Sequence, residues 1–176
     1  ADNARAGQLA ARILIDSGAT CLGCLVPRKK TFSVSGRAKA FFSAAASEGL
    51  PTEVLYAEDQ GYEDARIGIN ETDRAIFGRI DGLFCSTDLM AIGALDALRI
   101  DLSIAVPEQI QVLGFDDIEQ ANWGSFNLST IRQDVDAQTY TVVRLLKERI
   151  ADNTLANRVE RQRLTVVLRG TTLHDG

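Results

Sequence analysis

Ile110-Gln111-Val112-Leu113-Gly114-Phe115-Asp116-Asp117-Ile118 decides the fold. An apolar run ends at Phe115, and two carboxylates follow at once. The run is short, rich in β-branched and aromatic residues, and reads as a buried strand over 110–115. In an open α/β sheet, ligands sit just beyond the carboxyl ends of the strands. Asp116 is therefore offered to a crevice, whereas Asp117 suits the turn or the element that follows.

The pattern repeats on both sides of this segment. Apolar spacing predicts helices over 4–17, 37–48, 62–77 and 87–99, with Asp2 or Asn3 as the first cap. Short apolar runs predict strands over 21–26, 53–57 and 80–85. A polar loop over 27–35 carries Arg28, Lys29 and Lys30 and reads as a solvated face. Strand–helix alternation of this kind implies right-handed βαβ units and a parallel sheet. Beyond Ile118 the pattern changes. Residues 119–130 read as irregular. A helix is expected over 135–151 with Val135, Val142, Val143, Leu146 and Ile150 inward. A polar link then leads to a last strand at 164–169.

The 176 residues are 45% apolar and 24% charged, the composition of a globular chain. A net charge of −5 argues against a grip on nucleic acid, which needs a surplus of Lys and Arg. No apolar run approaches the roughly 20 residues that span a bilayer. The opening at Ala1 reads as the start of a fragment or a processed chain. Cys21 and Cys24 form a C-x-x-C, but in a strand this spacing sends the two side chains to opposite faces. The only histidine, His174, is far away in sequence. Neither a metal site nor a disulfide framework is expected, and reduced cytoplasmic thiols fit best. No nucleophile–base pair, P-loop or G-x-G-x-x-G is present. We expect no catalytic residues, no cofactor and no enzyme.

Several short motifs stand in order. They are Arg37-Ala38-Lys39-Ala40-Phe41, Gly61-Tyr62-Glu63, Phe84-Cys85-Ser86-Thr87-Asp88-Leu89-Met90-Ala91-Ile92-Gly93-Ala94, Val106-Pro107-Glu108, Gly114-Phe115-Asp116-Asp117, Leu128-Ser129-Thr130-Ile131-Arg132-Gln133 and Arg169-Gly170-Thr171-Thr172. As an ordered set, the chain resembles the effector-binding core of the lactose-repressor (LacI/GalR) family of bacterial transcription regulators. Thr87 stands where that family usually has Asn, and Phe126-Asn127 where it has proline.

The resemblance implies a type I periplasmic-binding-protein-like α/β fold, with helices on both faces of a parallel sheet and an incomplete second lobe. Residues 21–130 and 158–176 would form the C-terminal lobe. Residues 1–20 and 131–157 would be remnants of the N-terminal lobe, short of packing partners. The family's helix-turn-helix headpiece has no counterpart in these residues.

Arg37, Thr87, Asp116 and Gln133 all fall at carboxyl ends of strands or at the crossing to the other lobe. Their donors and acceptors suit the hydroxyls of a sugar or the edge of a nucleobase. The matching family positions contact effector. Asp88 reads as structural, in the first turn of a helix. By resemblance, the helix bearing Ile92 and Leu95, together with Trp123, would form a homodimer contact. The expected function is small-molecule sensing by a cytoplasmic regulator that meets operator DNA only through its headpiece and does not engage the membrane. A periplasmic sugar-binding protein of a transporter, with the same fold, is the alternative.

Overall fold

In the computed structural model, residues 2–29 and 31–173 are described. His174 and Lys30 lie outside them. The elements are α1 (Asn3–Asp16), β1 (Leu22–Pro27), α2 (Phe32–Ser47), β2 (Thr52–Ala57), α3 (Tyr62–Glu71), α4 (Arg74–Phe77), β3 (Gly82–Cys85), α5 (Asp88–Asp96), β4 (Gln111–Asp116), β5 (Ser129–Gln133), α6 (Val135–Ala151) and β6 (Leu164–Val167). The strands form one sheet in the order β2-β1-β3-β4-β5-β6. All neighbours are parallel except β5 and β6, which run antiparallel.

Strand alternation divides the core into two layers. Leu22, Cys24, Val26, Phe84, Leu113, Phe115 and Ile131 face α1 and α2. Leu25, Leu55, Leu83, Cys85, Val112 and Leu128 face α3 and α5. Cys21 and Cys24 fall in different layers, as the strand spacing requires. All three cysteines are free and buried. Gly7 lets α1 lie directly on α2, since a Cβ there would come within 2.1 Å of the Arg37 carbonyl oxygen.

The fold corrects several expectations. α1 does not lack a partner: Ala6, Ala10, Ala11, Ile13 and Leu14 are buried against α2 and the sheet. Residues 2–20 thus pack with the lobe they were expected to leave. α2 starts five residues early, because Thr31 caps it by accepting from the Val34 N–H. The helix expected over 62–77 breaks at Thr72, where Asp73 caps a separate turn, α4. α5 passes into a π-helical turn, Ala97–Asp101. Residues 119–130 are not wholly irregular. A 3-10 turn spans Glu119–Asn122, and β5 begins at Ser129, one strand more than the sequence reading foresaw. β5 has only five residues, Ser129–Gln133, too few to show a clear period.

α6 has the expected span, but its apolar side does not face inward. Val135, Val142, Val143, Leu146 and Ile150 are all exposed, Ile150 by 76%. The helix instead meets the return segment 153–163, through Arg144 with Glu160, Glu148 with Arg158, and Gln162 with Thr141. An apolar hollow of about 400 Å³, lined by Val142, Leu145, Leu146 and Leu155, lies between them.

Ile92 and Leu95 are likewise corrected. α5 is apolar nearly all round and is enclosed by α3, β4 and the 118–128 segment. Ile92 is 3% exposed and Leu95 fully buried. Neither offers a surface to a second subunit. Ile92→Ala is expected to cost about 2–5 kcal/mol, as for a fully packed core residue. Urea melts at two protein concentrations check this, because an interface residue would give a loss that depends on concentration.

Candidate functional site

The carboxyl ends of β3, β4 and β5 lie side by side, and the loops that leave them carry most of the singled-out residues. β4 ends in Asp116 with φ 125°, and Asp117 follows with φ 61°, both in a backbone region that L residues rarely adopt. The Asp116 carboxylate accepts from Gln133 Nε2 at 2.6 Å. Together with Asp117, Arg132, Val135 and Thr165 these residues line an open cleft of about 430 Å³. Burial pushes the Asp116 carboxyl above its ordinary range, while Gln133 and the charge of Arg37 pull it back.

Arg37 projects from α2 and is 5% exposed. Its Nη1 donates to Asn3 Oδ1 at 3.0 Å, its Nη2 donates to the Ser86 carbonyl at 3.0 Å, and its guanidinium lies 4.1 Å from the centre of the Phe115 ring. Its Nε is buried without a hydrogen-bond partner. Burial lowers the pKa of Arg37, and Asp116 opposes that. The two side chains thus act on each other by charge, yet among the described residues they form no ion pair.

Thr87 and Asp88 both serve α5. Thr87 is its N-cap, accepting from the Met90 N–H at 3.3 Å, and Thr87 does not line the cleft. Asp88 is fully buried. Its Oδ1 accepts from Thr130 Oγ1 at 2.6 Å and its Oδ2 from the Ile118 N–H at 2.9 Å. Gly114 makes room for it: a Cβ there would stand 2.1 Å from Asp88 Oδ1.

Asp117 turns away from Asp116. It accepts from Arg132 Nε and, at 2.8 Å, from Arg169 Nη2. Burial raises its pKa, but the hydrogen bonds and charges of the two arginines outweigh that and hold it low. Trp123 is half-exposed and stacks on Phe126, ring centres 6.4 Å apart. The structure therefore brings Arg37, Asp116 and Gln133 into one neighbourhood and assigns Thr87 to a helix cap. Asn3, Ser86, Thr130, Arg132 and Arg169 enter the site without having been singled out. Arg169 stands in a quoted motif, but nothing local to it announces a partner 52 residues away.

Residues 11–172 match the family model described as a periplasmic binding protein-like domain. The chain belongs to that family. The repressor PurR of Vibrio parahaemolyticus, described as HTH-type, is 31% identical over 166 residues, covering 94% of this chain and 49% of the relative. PurR of Aliivibrio fischeri is 30% identical over 176 residues, covering 96% and 50%. The chain spans about half the length of these relatives. Among solved structures, the transcriptional regulator CelR in complex with cellobiose superposes with a TM-score of 0.85 at 23% identity, covering 97% of this chain and 52% of CelR. A LacI family regulator from Enterococcus faecalis with bound ribose gives 0.84 at 22%, covering 97% and 61%. These likenesses establish the periplasmic-binding-protein-like fold. The named relatives are transcriptional repressors, not enzymes.

Burial is the first cause of the raised Asp88 pKa, to about 6, with Asp116 adding to it and Thr130 and Ile118 opposing. The folded state then holds this proton more tightly than the unfolded chain, whose Asp titrates near ~3.9. Stability from this group is full below that value and is lost as pH rises through about 6. Asp88→Asn mimics the protonated acid. Urea melts at about pH 4.5 and 7.5 should differ less in this variant than in the wild type. An equal difference in both proteins would exclude Asp88 as the source.

Proposed function

We propose that this chain is the ligand-sensing part of a bacterial DNA-binding transcription regulator, with a small polar metabolite, a sugar or nucleobase, as effector. The observation that carries this reading is the Arg37–Asp116 arrangement. Two desolvated, opposite charges stand at the carboxyl edge of a parallel sheet, aware of each other but not paired, and one keeps a buried N–H without an acceptor. Buried polar atoms are seldom left unsatisfied unless something else supplies the partner. A ligand with adjacent donors and acceptors would use both. Gln133 extends the set on the far side of Asp116. The repressor relatives favour this reading over a transporter's binding protein.

In this reading residues 135–157 belong to a second lobe. The exposed apolar side of α6 and the hollow beside it would be covered by that lobe's sheet. Effector bound between the lobes would select one arrangement of the two, and this would bias how headpieces meet their operator half-sites. A dimer contact would use the exposed Trp123–Phe126 stack, with Arg99 Nη1 holding the segment through the Ser125 carbonyl at 3.2 Å. Such a regulator works in the cytoplasm, where three free thiols stay reduced. No helix among the described residues is long and apolar enough to cross a membrane.

A thermal-shift screen against sugars and nucleobases tests the reading, since a compound that binds only the folded state raises its melting temperature. For the compound so found, Asp116→Ala should weaken binding by about 1–3 kcal/mol, the cost of removing an acceptor from a desolvated site. Titration calorimetry measures it, and an unchanged affinity would remove Asp116 from the site. The chain alone should not discriminate one DNA duplex from another at physiological salt, being acidic and without a recognition helix. An electrophoretic shift that picks out one sequence would overturn that.

A further inference from the structure

Two successive residues at the end of β4 occupy left-handed backbone, and neither is glycine. Such a conformation persists only where the surroundings dictate it. The surroundings here are an ion triad. Asp117, with only 7% of its side chain exposed, is held from two sides. Arg132 reaches it from β5, and Arg169 from the residues after β6. Arg169 is itself anchored twice more: its Nη1 donates to the Leu128 carbonyl at 2.7 Å, and its backbone N–H donates to Ser129 Oγ at 2.8 Å.

The pairing with β5 is cross-matched. Asp116 and Arg132 are register partners in the sheet, yet their side chains do not meet. Arg132 turns to Asp117, and the next residue, Gln133, turns to Asp116. Successive donors on β5 thus serve two successive carboxylates, Asp116 at the end of β4 and Asp117 just after it. If the triad opened, the turn would be free to relax, and both carboxylates would move together.

We propose that Asp117, Arg132 and Arg169 form a positioning triad for the ligand cleft. The triad fixes the strained turn that presents Asp116 and ties that turn, through Arg132, to β5 next to the crossing into α6 and, through Arg169, to the far end of β6. Its meaning for sensing rests on the reading of Asp116 as a ligand contact, but its existence does not. A paired, buried carboxylate of this kind is weak evidence for stability and acts here by fixing conformation.

The test is a carboxyl carbon NMR titration of the whole 176-residue chain, wild type against Asp117→Asn and Arg132→Gln. Asn keeps the shape and tolerates left-handed backbone while removing the charge. Arg132 is half-exposed, so its replacement leaves the core intact. In both variants the Asp116 midpoint should fall toward the ordinary aspartate range, as the turn opens to water and the burial that raises it is relieved, with Asp117→Asn giving the larger change. The Gln133 side-chain amide signals should move with it. Asp101, held low by Arg66 and Asn70 away from this turn, should keep its midpoint in the same spectra. An Asp116 midpoint unchanged in both variants overturns the proposal. So does a common shift that includes Asp101, which marks loosening of the whole molecule. If Asp117→Asn does not fold, Arg132→Gln decides by the same criteria. A failed ligand screen leaves this readout unaffected. An unchanged Asp116 midpoint, in turn, does not speak against ligand binding.

Discussion

The Asp88 carboxylate, sealed between α5, β4 and β5, is the interaction on which the ligand edge of the sheet depends. One oxygen takes the Thr130 hydroxyl of β5, and the other takes the Ile118 N–H beyond β4. The same residue opens α5. The helix that follows β3, the start of β5 and the loop beyond β4 are thereby joined through one side chain. Such a group is expensive to desolvate, and its raised pKa expresses that. The return is geometric rather than energetic. Gly114 must lack a side chain to admit it, and Ile118 must come back over the sheet, so the intervening Asp116 and Asp117 are confined to a tight turn. Asp88 thus anchors the two ends of that turn, and the ion triad on Asp117 holds its middle.

Arg37 is the second element of order, and it works by incomplete satisfaction. Its two terminal nitrogens brace α1 and β3, through Asn3 and the Ser86 carbonyl, and its face lies on Phe115. The brace adds a polar tie to the apolar packing that holds α1 on α2 and the sheet. Asn3 is part of α1, so the ligand edge and the chain's entry are joined through one guanidinium. What remains over is the Nε and the attraction to Asp116. Rigid placement of a charge with residual capacity is what a preorganised binding site requires.

The fold was legible where periodicity is long and hydrophobic. The strand at 110–115, the helix at 135–151 and the opposed faces of Cys21 and Cys24 could all be read from spacing. β5 was not, because a strand of a few residues between a turn and a crossing leaves no period. The inward side of α6 was misjudged for a different reason. Spacing shows that a face is apolar, not whether a partner is present, and here none of the chain's own strands reaches it. Ile92 and Leu95 illustrate the converse. A helix that is apolar all round is enclosed by its own chain, and resemblance to a family contact does not alter that. Asp116 and Gln133 stand at the strand ends where the sequence suggested a crevice, and Arg37 reaches their neighbourhood from inside α2. Arg132 and Arg169 were not legible, because a partner's identity depends on which way neighbouring residues alternate in an antiparallel and a parallel pairing at once.

These two kinds of order bear on how binding could be passed on. α6 and the return segment are tied to the sheet by two covalent crossings, at 133–135 and 163–165, and their side-chain contacts run mainly to each other. Gln133 and Arg132 stand at the first crossing, whereas Arg169 lies beyond the far end of β6, beside Leu128. Gln133 holds Asp116 directly, and the two arginines hold Asp117. Under the proposed function, a ligand at Asp116 would be coupled to α6 through the first crossing, because the residue that holds Asp116 and one of the two that hold Asp117 stand next to that helix.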